Sequence, residues 1–68
     1  MNYFKRYYAQ LIDCHIYGVT FEKDEYEPDM LWPILHMRHP NGDEFTVTLS
    51  SDEEGNAPGF AFIEGVKP

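Results

Sequence analysis

The sequence predicts a small all-β domain, an antiparallel meander of three to five strands, on three observations. Two strand-like runs, residues 32–39 and 44–50, flank a turn-forming sequence at 39–42. Residue types that favour strands recur along the chain, and 16% of its 68 residues are aromatic. There is no internal repeat and no linker, so residues 1–68 are expected to form a single domain.

The N-terminal third fits two structures. Apolar residues alternate along residues 7–22, which favours one long bent strand or two shorter ones, with Gly18 marking a bend or bulge. Apolar residues also recur there at helical spacing. The alternative is therefore an α+β fold in which a helix over residues 3–12 packs on the sheet. Residues 23–30 are expected to form an exposed acidic loop.

The central hairpin is the clearest element. His39-Pro40-Asn41-Gly42 predicts a type I turn followed by a glycine in the left-handed region. This turn separates the side chains cleanly, whereas a two-residue turn would mix apolar and polar residues on both faces. The predicted pairs are Met37–Phe45, Leu35–Val47 and Pro33–Leu49 on an apolar face, and Arg38–Glu44, His36–Thr46, Ile34–Thr48 and Trp32–Ser50 on the other.

The C-terminal part predicts a loop and one more strand. Residues 51–59 contain Gly55, Asn56, Pro58 and Gly59, which are typical of loops. Residues 60–64 are short, apolar and aromatic, and we predict that they form a further strand of the meander.

Charge and cysteine content restrict the function classes. The formal net charge of −7 argues against direct binding to nucleic acid or to an anionic membrane, where lysine and arginine supply the affinity. The single cysteine, Cys14, cannot form an internal disulfide, and the N-terminal residues lack the pattern of a signal peptide. We therefore expect a cytoplasmic protein that does not associate with a membrane.

Catalysis and cofactor binding have little support in the sequence, so we predict a non-enzymatic protein without a cofactor. Adjacent residues on a strand, such as Cys14 and His15, point to opposite faces and cannot share the hydrogen bond of a nucleophile and its base. The sequence also lacks the paired ligands of a structural zinc site. A weaker hypothesis is a cation site formed by the oxygen-bearing residues Asp52, Glu53, Glu54 and Asn56.

The remaining prediction is a protein–protein interaction module with an acidic surface and a partner that is itself basic. Acidic residues around aromatic anchors are typical of binding surfaces, because the aromatic rings supply affinity and the charges steer association. The predicted partner-binding residues are Glu22, Asp24, Glu25, Tyr26, Glu27, Asp29 and Trp32.

Three alternatives stay open beside this prediction. The composition is similar to that of phage-type inhibitors, which occupy basic surfaces of host proteins, and the carboxylates could also mimic nucleic-acid phosphates. A second alternative is a small cation-binding domain. The chain could also form a homo-oligomer through an edge strand.

Overall fold

The computed structural model of the chain describes residues 3–52 and 54–65. A short helix, α1 (Tyr3–Ala9), precedes three strands, β1 (His15–Lys23), β2 (Leu31–Arg38) and β3 (Glu44–Thr48). The strands form one antiparallel sheet in the order β1-β2-β3. The sheet has the smallest number of strands that the sequence predicted, and the helix is the element of the alternative α+β prediction.

The helix is shorter than residues 3–12, and the predicted strand over residues 7–22 forms only from His15 onward. After Ala9 the backbone continues as turns, in which the Leu11 and Ile12 amides donate to carbonyls three residues earlier, at 3.0 and 3.1 Å. Asp13 then adopts a positive φ of 65°, a conformation that aspartate tolerates better than most residues. This reversal ends the helical segment and redirects the chain into β1.

The hairpin of β2 and β3 has the predicted register. Met37 pairs with Phe45 and Leu35 with Val47 on one face, while Arg38 pairs with Glu44 on the other. The apolar and polar side chains are therefore separated across the pair, as the pattern required.

The turn between these strands is also confirmed. The Gly42 amide donates to the His39 carbonyl at 2.9 Å, and the His39 amide donates to the Asp43 carbonyl at 2.8 Å. Gly42 has a φ of +97°, which L-residues with a side chain rarely adopt. The Asn41 side chain accepts a hydrogen bond from the Asp43 amide at 2.9 Å and supports the turn.

A β-bulge in β1 lies where the sequence placed a bend or bulge. Ile16 pairs with Met37, but Gly18 rather than Tyr17 pairs with His36, so β1 contains one extra residue. The extra residue changes the alternation. As a result Ile16 and Val19, three residues apart, both project from the apolar face.

The predicted strand over residues 60–64 is wrong, because these residues are not paired with the sheet. The chain returns to the sheet only at an isolated bridge between Ser50 and Pro58. The amides of Ser51 and Gly59 hold this bridge by donating to the carbonyls of Ala57 and Leu49, at 2.9 and 2.8 Å. The large apolar side chains of this segment are 81–87% exposed, namely Phe60, Phe62 and Ile63.

The core of this fold is small. Among the described residues, Met37, at 4% exposure, is the one buried hydrophobic side chain. Helix α1 buries none of its own residues and makes no close backbone approach to any of the three strands, and a groove of about 190 Å³ lies between Tyr7 and Tyr8 on one side and Phe45 and Val47 on the other. The helix of the alternative prediction is therefore present, but it does not pack closely on the sheet. No described helix has the length and apolar character needed to cross a membrane.

Candidate interaction cleft

A cleft of about 290 Å³ lies on the polar face of the sheet, at the end farthest from the β2–β3 turn. The side of β2 that carries Trp32 forms part of its wall, and two loops flank it, one before β2 and one after β3. The lining residues are Glu22, Lys23, Asp24, Glu25, Tyr26, Trp32, Thr48, Gly55 and Asn56. The cleft therefore joins parts of the two acidic segments that the sequence analysis treated as separate hypotheses.

Asp24 organises the first loop. One carboxylate oxygen accepts hydrogen bonds from the backbone amides of Tyr26 and Glu27, at 3.1 and 2.9 Å. The other oxygen accepts the indole N–H of Trp32 at 2.9 Å. The Asp24 amide also donates to the Met30 carbonyl at 2.9 Å, which closes the loop. Asp24 is thus a half-buried structural residue that orients the indole ring.

These hydrogen bonds lower the pKa of Asp24. The largest cause is the bond from the Trp32 indole, followed by the bond from the Glu27 amide, and both stabilise the ionised carboxylate. Asp24 is therefore charged at neutral pH, and its charge is already partly satisfied from within the chain.

The acid at the end of β1 and the other acids of the first loop have no such partners. The side chains of Glu22, Glu25, Glu27 and Asp29 are exposed, and the one ion pair of the described residues lies elsewhere, between Arg38 and Glu44. Tyr26, at the crest of the loop, is 84% exposed. Of the seven residues predicted for partner binding, five line the cleft, whereas Glu27 and Asp29 continue the acidic surface outside it.

The second loop is closed by its own hydrogen bonds. One Asp52 oxygen accepts the amides of Glu54 and Asn56, both at 3.1 Å, and the other accepts the Asn56 side-chain N–H at 3.0 Å. The backbone bond from Asn56 is the largest cause of the lowered pKa of Asp52. Both carboxylate oxygens are therefore engaged in shaping the loop that bounds the cleft.

The predicted cation site falls on this second loop. Within the described residues, no group of three or more His, Cys, Asp or Glu side chains is arranged to hold a metal ion. Glu53 lies outside those residues, so the four-residue cation hypothesis stays a prediction.

The opposite end of the polar face carries a second cluster. The Tyr17 hydroxyl donates to Glu44 at 3.0 Å, and an Arg38 nitrogen lies 3.0 Å from the other Glu44 oxygen. The Arg38 guanidinium also lies 4.6 Å from the centre of the Tyr17 ring. The bond to Glu44 raises the pKa of Tyr17, and the bond from Arg38 lowers the pKa of Glu44. The charges of this cluster are mutually satisfied.

One contact between chemically active side chains is not indicated by the sequence. Cys14 was expected to have only its neighbour His15 nearby, but its sulfur lies 3.2 Å from Nδ1 of His39 and also donates to the Gln10 carbonyl at 3.3 Å. Twenty-five positions separate the two residues. Only the path of residues 10–14 across the end of the sheet brings them together, and no local pattern indicates it.

No protein-family model, no curated protein and no solved structure matches this chain. Its function must therefore be argued from the geometry of its own side chains.

Proposed function

We propose that the chain is a non-enzymatic protein–protein interaction module whose acidic cleft binds a basic segment of a partner. The observation that carries this proposal is the arrangement around Trp32. An indole ring held in place by Asp24 lies beside Glu22 and Glu25, which have no ion-pair partner among the described residues.

This arrangement suits the side chains of arginine and lysine. A cation is attracted to the face of an aromatic ring, most strongly to tryptophan, and carboxylates beside the ring bind a guanidinium through charge-assisted hydrogen bonds. Three acids line the cleft, and the one basic residue of its lining, Lys23, belongs by strand alternation to the opposite face of the sheet, where it pairs with Leu31. A cationic ligand therefore enters a region of net negative charge.

The size and rigidity of the cleft also favour a side chain of a partner. Its volume of about 290 Å³ lies at the lower limit of pockets that enclose small molecules. The indole is oriented before binding, so little of its conformational freedom is lost on association. Tryptophan is also among the residues most often found at the energetic centre of interfaces.

A second candidate rests on the acids outside the cleft. Glu27 and Asp29 continue the negative surface along the loop, which is the feature that a phosphate-mimicking inhibitor of a basic surface would need. This candidate predicts that DNA competes with the chain for its partner. Binding centred on Trp32 predicts little competition.

Capture experiments with matched variants distinguish the two candidates from each other and from a chain that binds no partner. Tagged protein is incubated with lysate at low and high salt, and captured proteins are identified by mass spectrometry. The test variant is Glu22→Gln/Glu25→Gln. The control is Asp43→Asn/Glu64→Gln, which lowers the negative charge by the same amount at exposed positions away from the cleft.

We expect a partner that the wild type and the control retain at low salt and that the cleft variant loses. Equal loss with both variants would show that net charge alone drives capture and would overturn the role of the cleft. Capture that DNA abolishes would favour the phosphate-mimicking alternative. No specific partner at either salt concentration would overturn the interaction module.

A further inference from the structure

The one thiol of the chain lies beside an imidazole at the turn end of the sheet. The Cys14 sulfur is 3.2 Å from Nδ1 of His39, and the Gln10 carbonyl oxygen lies 3.3 Å from the same sulfur. The thiol has one proton and two acceptors within reach, and of these two only the imidazole nitrogen takes up a proton near neutral pH. The acidic cleft lies at the other end of the sheet, so this pair is independent of the proposed function.

Both partners of this pair are held in place by the fold. The Cys14 amide donates to the Leu11 carbonyl at 3.2 Å, in the turn that leads into β1. The His39 amide donates to the Asp43 carbonyl at 2.8 Å, and the His39 ring packs on Phe45 with 4.5 Å between the ring centres. A nucleophile within hydrogen-bond distance of a base, with the base oriented by a third group, is the arrangement that activates cysteine side chains.

The pair is also open to a small molecule. Cys14 and His39 are each only half-buried, and partial exposure distinguishes reactive cysteines from the inert cysteines of protein cores. We propose that Cys14 is a modification site that exchanges with a small-molecule disulfide, and that His39 is the general base of this reaction.

The exchange is balanced without any further reagent. The Cys14 proton passes to Nδ1 of His39, and the thiolate attacks one sulfur of the small disulfide. A new S–S bond forms as the old one breaks, and the leaving thiolate takes the proton from the imidazole to become a free thiol. The Cys14 sulfur is oxidised to the disulfide level, and the released sulfur is reduced to the thiol level by the same transfer.

The mixed disulfide persists until an external thiol removes it. The chain has no second cysteine, so no resolving thiol within it displaces the small molecule and forms an internal disulfide. Cys14 is therefore a reversible modification site, and the exchange is not a catalytic turnover.

The test follows formation of the mixed disulfide by mass spectrometry at pH 7, with bis(2-hydroxyethyl) disulfide as the probe. This probe is uncharged, so the net charge of the chain neither attracts nor repels it. A free cysteine is only a few per cent thiolate at pH 7, so we expect the folded wild type to react about tenfold faster than the same chain unfolded in urea. A folded chain that reacts no faster than the unfolded one would overturn the proposal, because a thiol that is merely hydrogen-bonded and half-buried is protected.

Two histidine variants identify the base. His39→Ala removes the imidazole at 3.2 Å, and the matched control His15→Ala removes the exposed imidazole that is adjacent to Cys14 in sequence. We expect His39→Ala to lose most of the tenfold gain and His15→Ala to keep it. Wild-type rates in His39→Ala would overturn the role of His39.

Added imidazole separates a missing base from a change of structure. We expect free imidazole in the buffer to restore part of the lost rate to His39→Ala and to leave His15→Ala unchanged, since only the first variant lacks its base. A lost rate that imidazole does not restore would show that His39 only shapes the segment around Cys14, and would overturn its assignment as the base. If His39→Ala does not fold, the comparison of folded and unfolded wild type still decides whether the fold activates Cys14.

Discussion

Replacing Gly42 by valine measures the conformational cost of the β2–β3 turn with little other disturbance. The φ of Gly42 is +97°, and a Cβ atom built at this position has no heavy atom within 4 Å beyond its chain neighbours. The penalty is therefore one of backbone conformation and not of steric overlap. A left-handed conformation costs an L-residue about 1–2 kcal/mol, and a β-branched side chain brings the cost to about 2–3 kcal/mol.

This magnitude is large for such a small domain. A loss of about 2–3 kcal/mol lowers the melting temperature of a domain of this length by roughly 10–20 °C. The assay is thermal and urea denaturation followed by circular dichroism, at one fixed protein concentration. Gly18→Ala is the matched control, because its Cβ would meet His36 at an ordinary 3.8 Å, and we expect it to change stability by less than about 0.5 kcal/mol.

Chemical synthesis provides a second comparison at the same position. D-alanine prefers a positive φ, so at position 42 it is expected to stabilise the protein by about 0.4–1 kcal/mol through the entropy of the unfolded chain. If Gly42→Val denatured like the wild type while D-alanine had no effect, the assignment of the turn would be refuted, and with it the register of the hairpin.

Three further predictions follow from single contacts. Because the pKa of Asp24 is lowered in the folded state, its ionised carboxylate contributes its full stability above the ordinary pKa of aspartate, and this contribution is lost as the pH falls through the lower, folded value. An acid titration followed by Trp32 fluorescence should show this transition, and Asp24→Asn should lack it. Gly59→Ala should destabilise the fold by about 2 kcal/mol in urea denaturation, since the added Cβ would lie 2.5 Å from a backbone carbonyl carbon, and a neutral effect would contradict this close approach. Because the pKa of Tyr17 is raised in the folded state, its contribution to stability is complete below the ordinary pKa of tyrosine and is lost as the pH rises through the higher, folded value. In an alkaline titration followed by tyrosine absorbance, Tyr17→Phe should remove the part that ionises late, and Glu44→Gln should shift that part to lower pH.

The hairpin was predictable because two independent local signals agreed. The residues at 39–42 specified the turn, and the alternation of apolar and polar residues specified the same register. Each of the five strand pairs found between β2 and β3 is among those expected from the sequence. The bulge at Gly18 was likewise indicated by a glycine within a strand pattern.

The ends of the chain were less predictable because their local preferences were ambiguous. Residues 3–12 combine aromatic side chains at helical spacing with residue types that favour strands. The chain reversal at residues 10–13, which decides between the two, depends on a positive φ at Asp13. Residues 60–64 have strand-forming residues, but a strand also needs a paired neighbour, and β3 ends at Thr48 with one bridge beyond it.

The cleft was predictable in its residues but not in its assembly. Each acid of the first loop was proposed for binding, yet the role of Asp24 as the hydrogen-bond acceptor of Trp32 depends on the closed conformation of that loop. The predicted hairpin register had placed Trp32 opposite Ser50, next to the start of the second loop. That proximity was the one signal that could have joined the two acidic segments. The contact of Cys14 with His39 had no such signal, because it depends on how the N-terminal segment crosses the sheet.

The measurement that tests the central claim most directly is a nuclear magnetic resonance titration of isotope-labelled protein with an oligo-arginine peptide. The chain has one tryptophan, so its indole N–H gives a single signal that reports on the cleft. We predict that this signal and the amides of Glu25 and Tyr26 shift saturably, and that Glu22→Gln/Glu25→Gln weakens the effect far more than Asp43→Asn/Glu64→Gln does. Equal weakening by both variants, or shifts that leave the Trp32 indole unchanged, would contradict the assignment of the cleft as the binding site.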